Sequence, residues 1–291
     1  MRYGSAARFR QALEQRLGDR SKATGQSVIR LRKTVVFERL LARLAVAAPG
    51  RWTLKGALAL GFRLRGRSRT TMDADLVRHD NEEAAVGDLI EAASRDLGDF
   101  FAFSMEGRSR LGDDEGGTVR CRVRAELASR LFENVIVDTG FSDPLGWDPE
   151  LVRGTDLLAF ADVEPVVVPV VPLEQQVAEK VHAYTRTYGG KPSSRAKDLA
   201  DLILIKRSAG LDGDRLRAAL EGVFAGRGQH PLPARLPPPP TDWVVPYRKL
   251  AAEVGFESEL AAGHREAADL LDPVLGGEED RRWDPEEGRW V

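Results

Sequence analysis

The chain is short of cysteine and has no long apolar run, and each shortage excludes something. The single cysteine, Cys121, rules out an internal disulfide and a cysteine zinc site. The longest apolar run clear of charge, Pro165 to Leu173, is short and carries three prolines, so it cannot be a membrane helix. Arg2, Arg8, Arg10 and Arg16 break up the N-terminus and leave no apolar core for an export signal. A cytoplasmic protein with no membrane partner is expected. The sequence is 291 residues long, 42% hydrophobic and 30% charged, which suits a globular protein with a sizeable core.

The net charge of −2 hides an asymmetry. Residues 1–70 hold seventeen Lys and Arg against Glu14, Asp19 and Glu38, a surplus of fourteen. Residues 250–291 hold twelve acids against four Arg. Two readings of the basic half stay open. It is a docking face for a polyanion such as tRNA, or a set of solvated arginine-rich helices.

The stretch with the most chemistry runs from Arg67 through Arg69, Thr70, Thr71 and Met72 to Asp73, Ala74 and Asp75. Met72 to Val77 reads as a strand, on which Asp73 and Asp75 project to the same side. Close carboxylates need a counter-cation, and Mg²⁺ is the usual one where a substrate carries phosphates. Asp138 ends the apolar strand Asn134 to Thr139 and can complete a two-metal cluster from a neighbouring strand. Upstream, Lys55 and Gly56 open a short helix expected over Leu54 to Leu64, where backbone N–H groups can approach a phosphate. Taken alone, the two aspartates also fit a solvated strand end. The order of glycine turn, short helix, basic connection, paired acids and distant third acid resembles the polymerase-beta-like nucleotidyltransferases.

Around this stretch, residues 5–20 and 26–47 read as helices, as does Glu82 to Leu97. Strands are expected at Phe100 to Met105, Thr118 to Leu127 and Asn134 to Thr139. In the middle one, Val119, Cys121, Val123 and Ala125 alternate with Arg120, Arg122, Arg124 and Glu126, a half-buried strand with a basic outer face. The fold class expected is α+β: a mixed sheet with helices over 1–171, then a mainly helical domain over 172–291. A proline-rich linker lies near 236–246. The acidic tail from Gly276 reads as loosely ordered and solvated, or as lying on the body.

A second constellation lies in the helical half. Lys180 flanks the apolar stripe of Leu173, Val177, Val181 and Tyr184, and Asp198 and Asp201 share a face of the next helix, for which Ser194 is the expected N-cap. Helical geometry alone reads these as surface ion pairs. His182 is expected to pack, with no part in proton transfer.

The run from Glu179 and Lys180 through Arg186 to Arg195, Asp198, Asp201 and Leu202 resembles the signature of the AbiEii/AbiGii family of nucleotidyltransferase toxins. That family includes mycobacterial toxins that block tRNA. The resemblance spans about Leu54 to Leu275, with Pro239-Pro240-Thr241-Asp242-Trp243 included. It implies catalytic roles for Asp73, Asp75, Lys180 and Asp201 or Asp198, with Asp73, Asp75 and Asp138 as Mg²⁺ ligands. It places Lys55, Gly56, Arg69, Thr71 and Lys180 around the nucleotide. Gly56 is followed by Ala57 rather than serine, so a hydroxyl contact common in such enzymes is missing. The reaction implied is transfer of a nucleoside monophosphate from an NTP, the co-substrate, to the 3′ end of tRNA, under control of a cognate antitoxin. Thr71, two residues before Asp73, matches a position phosphorylated in some members, with Ser68 and Thr70 as neighbouring candidates. Two alternatives are modification of a protein or small-molecule hydroxyl, and a non-catalytic module that binds RNA or an antitoxin.

Overall fold

The computed structural model describes every residue except 66–67, 112–116, 142–146, 189–190, 193–194 and 279, so the expected N-cap Ser194 lies outside the described residues. The chain forms two compact units. The first reaches Val171; the second starts at Pro172 and takes in Ser68 and Arg69.

The first unit opens with α1 (Ala6–Thr24) and α2 (Val28–Ala47). Ser5 and Ser27 cap them by accepting from the backbone N–H of Arg8 and Arg30. Then follow β1 (Thr53–Lys55), α3 (Gly56–Arg63), β2 (Asp73–Arg78), α4 (Glu82–Ser94), β3 (Phe101–Leu111), β4 (Thr118–Leu127), β5 (Arg130–Phe141), β6 (Glu150–Arg153) and β7 (Val167–Val170). The helix expected from Leu54 starts only at Gly56, because Thr53 to Lys55 pair with β2 instead.

The seven strands make one mixed sheet in the order β3-β4-β5-β2-β1-β7-β6. β2 runs parallel to β5 and β1 to β7; the other neighbours are antiparallel. Registration decides which side chains share a face. Cys121, Val137 and Ala74 form one cross-strand row, and Val123 and Val135 another, all of them buried. That face packs in one core with α1, α2 and α4, through residues such as Phe9, Leu13, Val35, Leu40 and Leu89.

Much of the basic N-terminal surplus is used inside this unit. Arg39 and Arg43 of α2 bond Asp99, Arg39 at 2.6 Å and Arg43 at 2.7 and 2.9 Å, and all three are buried. Burial alone would raise the Asp99 carboxyl, but the two guanidiniums override it and hold it below the usual carboxylate range. Lys33 donates to the Asn134 carbonyl at 2.7 Å, and Arg10 to the carbonyls of Leu127, Arg130 and Leu131.

The second unit comprises α5 (Leu173–Thr185), a two-stranded ribbon β8 (Thr187–Tyr188) with β9 (Lys191–Pro192), α6 (Ala196–Ser208), β10 (Leu211–Asp212), α7 (Gly213–Arg227), α8 (Val244–Val254), α9 (Leu260–Leu275), β11 (Arg282–Asp284) and β12 (Arg289–Trp290). The proline-rich segment is pinned at several points. Tyr184 donates its hydroxyl to the Pro237 carbonyl at 2.8 Å, and Leu236 bonds Asp272 at 2.8 Å. The acidic tail is not loose. β11 and β12 complete a small sheet with β10, and Trp283 is buried with its indole N–H on the Lys206 carbonyl at 2.8 Å. Two indoles that reach both apolar packing and a carbonyl outweigh the local excess of acid.

His182 is fully buried against the rings of Phe224 and His230, and burial pulls its pKa down to about 4. It stays a neutral packing residue at ordinary pH.

Candidate active site

The face of the large sheet opposite the apolar rows carries the acids. Lys55, Asp75, Asp138 and Arg120 are register partners in turn across β1, β2, β5 and β4. Side chains directly opposite in neighbouring strands stand on the same side, so two carboxylates lie in a row bracketed by two cations. Asp73, two residues along β2, partners Ile136, which partners Arg122. Asp73, Asp75 and Asp138 each bring one carboxylate oxygen to within 4.8 Å of the others. Three hard oxygen donors on two adjacent strands suit a divalent cation such as Mg²⁺, which takes further oxygens from water and phosphate.

Two neighbours shape this cluster. Thr71 Oγ1 donates to the Asp73 carboxylate at 2.9 Å and to its carbonyl oxygen at 3.0 Å, a local turn that fixes the first acid. Gly56 sits at φ +71°, where an added Cβ would fall 2.1 Å from Asp75 Oδ2. Glycine is required there twice over, for the left-handed backbone and for the closeness of the acid.

Arg120 grips the third acid. Its Nε and Nη2 donate to Asp138 Oδ1 and Oδ2 at 2.8 and 2.7 Å, a two-pronged bridge. The Asp138 bond, and the nearby charges of Asp138, Asp73 and Asp75, push the guanidinium pKa up against a smaller opposing effect of burial. Sequence reasoning missed this residue as part of the site. The alternation along β4 puts Arg120 on an outer face, but only the pairing with β5 puts it on Asp138.

The second constellation lies in the second unit. Lys180 is 7% exposed, and its ammonium donates to Asp201 at 2.5 Å and Asp198 at 3.3 Å. Arg69 donates to both oxygens of Asp201, at 3.0 and 3.1 Å, and Arg195 to Asp198 at 2.8 Å. These are therefore not surface pairs. Burial opposes the lysine charge, yet Asp201 and Asp198 outweigh it and the pKa moves up. Asp198 moves down, because Lys180 and Arg195 override its own burial. Two carboxylates shared among three cations form a satisfied buried network that fixes where Lys180 stands.

Two acids on one strand and a third on its parallel neighbour, beside a glycine turn in a mixed sheet, suit an enzyme that handles phosphates through a divalent cation. The family model for the nucleotidyl transferase AbiEii toxin of type IV toxin–antitoxin systems matches residues 39–285. The chain belongs to that family, and is a nucleotidyltransferase whose toxin–antitoxin setting implies an antitoxin partner. Its fold is similar to that of MenT4, a nucleotidyltransferase toxin of Mycobacterium tuberculosis, with a TM-score of 0.62 and 18% identity over 94% of this chain and 92% of that one. JHP933 of Helicobacter pylori aligns with a TM-score of 0.49 and 18% identity over 84% of this chain and 93% of that one. No curated protein sequence matches the chain. Among the described residues no helix is long and apolar enough to cross a membrane.

Proposed function

We propose that this toxin moves a nucleoside monophosphate from a Mg²⁺-bound NTP to the 3′ hydroxyl of tRNA, and so stops translation. The hydroxyl gives up its proton to water as its oxygen forms a bond to the α-phosphorus, the bond to the β-phosphate oxygen breaks, and pyrophosphate leaves. The observation that carries this reading is the meeting of Asp73, Asp75 and Asp138 within 4.8 Å. A divalent cation held there would neutralise the triphosphate and make the hydroxyl more acidic.

The chain's own groups divide the remaining work. Asp73 and Asp75 are the principal ligands, with Asp73 oriented by Thr71. Asp138 completes the ligand set, with a carboxylate oxygen beside those of Asp73 and Asp75. The α3 N-terminus at Gly56, with Lys55 beside it, faces the nucleotide's phosphates. A contact to nucleotide phosphate is the role we assign to Lys180, whose ammonium is held by Asp198 and Asp201 within the second unit. A nucleic-acid acceptor is supported by the arginines along β4 on the acid-bearing face. Among the described residues, exposed Arg122 has no bonded partner there. The N-terminal helices support it less, because Arg10, Lys33, Arg39 and Arg43 are engaged internally. Thr71 is the position we assign to control by phosphorylation, since a phosphate would replace the donor to Asp73 with negative charge. Ser68, a neighbouring hydroxyl, is buried.

Incubation of the protein with labelled NTPs, Mg²⁺ and total tRNA tests the reading. Label should appear on tRNA, and Asp73→Ala or Lys180→Met should each lower the rate by about a thousandfold, the scale of losing one preorganised charge. Label on protein instead would favour a protein hydroxyl as acceptor, and no transfer with any NTP would defeat the enzymatic reading.

A further inference from the structure

Arg120 is in the wrong place for a purely structural residue. β4 and β5 are already joined by a long antiparallel ladder from Val119 to Leu127, which needs no side-chain bridge to hold its register. The Arg120 side chain is 31% exposed and Asp138 is 10% exposed, so this is a bridge at the rim of a site and not a core ion pair. What the bridge does take up is both oxygens of a carboxylate that belongs to the acid cluster. Asp73 and Asp75 also act on Arg120 through their charge, so the guanidinium answers to the cluster as a whole.

Resting on the metal reading above, we propose that Arg120 is a positioning residue that competes with the divalent cation for Asp138. The three acids then bind metal weakly by themselves and strongly only as its complex with a nucleoside triphosphate. The charge count supports this. Asp73, Asp75 and Asp138 carry three negative charges, and Lys55 and Arg120 in the same row return two. A bare divalent cation entering that site meets little net attraction and a guanidinium already on one of its ligands. A triphosphate brings enough negative charge of its own to draw Arg120 from Asp138 onto a phosphate oxygen, for which a guanidinium fork is well shaped. Metal and nucleotide thus enter together, and the acids are not held shut by metal in the absence of substrate.

The test is Mn²⁺ binding to the full chain, read as loss of the free-ion paramagnetic resonance signal, with no nucleotide and then with a non-hydrolysable NTP analogue. Without nucleotide, Arg120→Gln should bind Mn²⁺ about tenfold more tightly than wild type, the order expected from removing one near charge in a partly solvated site. Arg120→Lys keeps the charge and should stay within about twofold of wild type. Arg122→Gln removes an equal charge two residues along the strand, and should shift affinity by less than Arg120→Gln. With the analogue present, the advantage of Arg120→Gln should vanish or reverse. Thermal melts and circular dichroism check that the variants are folded. If wild type binds Mn²⁺ in an Asp73-dependent manner but Arg120→Gln binds it no more tightly, the competition is refuted and the metal site stands. If neither protein binds Mn²⁺ even with the analogue, the metal reading fails and takes this inference with it.

Discussion

Gly56 shows how much of the site depends on single atoms. A methyl group at this position would lie 2.1 Å from Asp75 Oδ2, and the backbone at φ +71° already disfavours any side chain. Gly56→Ala should therefore destabilise the fold by about 1–3 kcal/mol, as measured by chemical denaturation. Because Asp75 must shift to make room, turnover should fall by about a hundredfold even in the folded fraction. A variant with near-normal turnover would mean that Asp75 tolerates displacement and is not a close ligand. The acids themselves were legible in the sequence, since one intervening residue on a strand fixes a common face. The absence of serine after Gly56 was legible too, and Ala57 is buried, so no hydroxyl is replaced in kind. Arg120 was not legible as part of the site, and the reason lies one scale up.

At the level of elements, the hairpin between β4 and β5 turns at Ala128 and Ser129, both with positive φ, and starts with Leu127 opposite Arg130. Counting back from that turn without interruption would set Arg120 opposite Val137, on the wrong face. A bulge at Phe132, between the pairs Glu126–Leu131 and Ala125–Glu133, shifts the register by one and brings Arg120 to Asp138. Phe132 is buried against Phe101 and carries the Arg32 guanidinium over its ring, so the bulge is set by packing from elsewhere in the sequence. Short strands were illegible for a related reason. Three residues such as Thr53–Lys55 have too little period to read, although the long alternation of β4 was plain. Helix α2 carries a pH dependence of its own. Glu38 is 2% exposed, accepts from the Thr155 N–H, and burial pushes its pKa up to about 7. A folded-state value above the unfolded one favours the protonated form, so this stability is full below about 4.5 and lost as pH rises through about 7. The span corresponds to about 3 kcal/mol. Urea midpoints should thus fall between pH 5 and pH 8, and Glu38→Gln should flatten that fall and raise stability at pH 8. Parallel curves for the two proteins would show that Glu38 titrates normally.

For the molecule as a whole, part of the charge asymmetry in the sequence is architectural. In the first unit the cations hold Asp99 and strand-end carbonyls, and in the second the acid-rich tail folds back as a small sheet anchored by Trp283 and Trp290. Composition shows that charges are present but not which are spent inside, because that depends on partners far apart in the chain. The family pattern, by contrast, was readable across most of the length, and its two constellations each form within one unit: the three acids in the first, and Lys180 with Asp198 and Asp201 in the second. The central claim is that the three acids hold the catalytic cation. The most direct measurement is anomalous diffraction at the manganese edge from crystals grown with Mn²⁺ and a non-hydrolysable NTP analogue. A strong peak is expected within coordination distance of Asp73, Asp75 and Asp138, with Arg120 turned toward a phosphate. Ordered analogue without such a peak, or a peak bound only by other side chains, would contradict it.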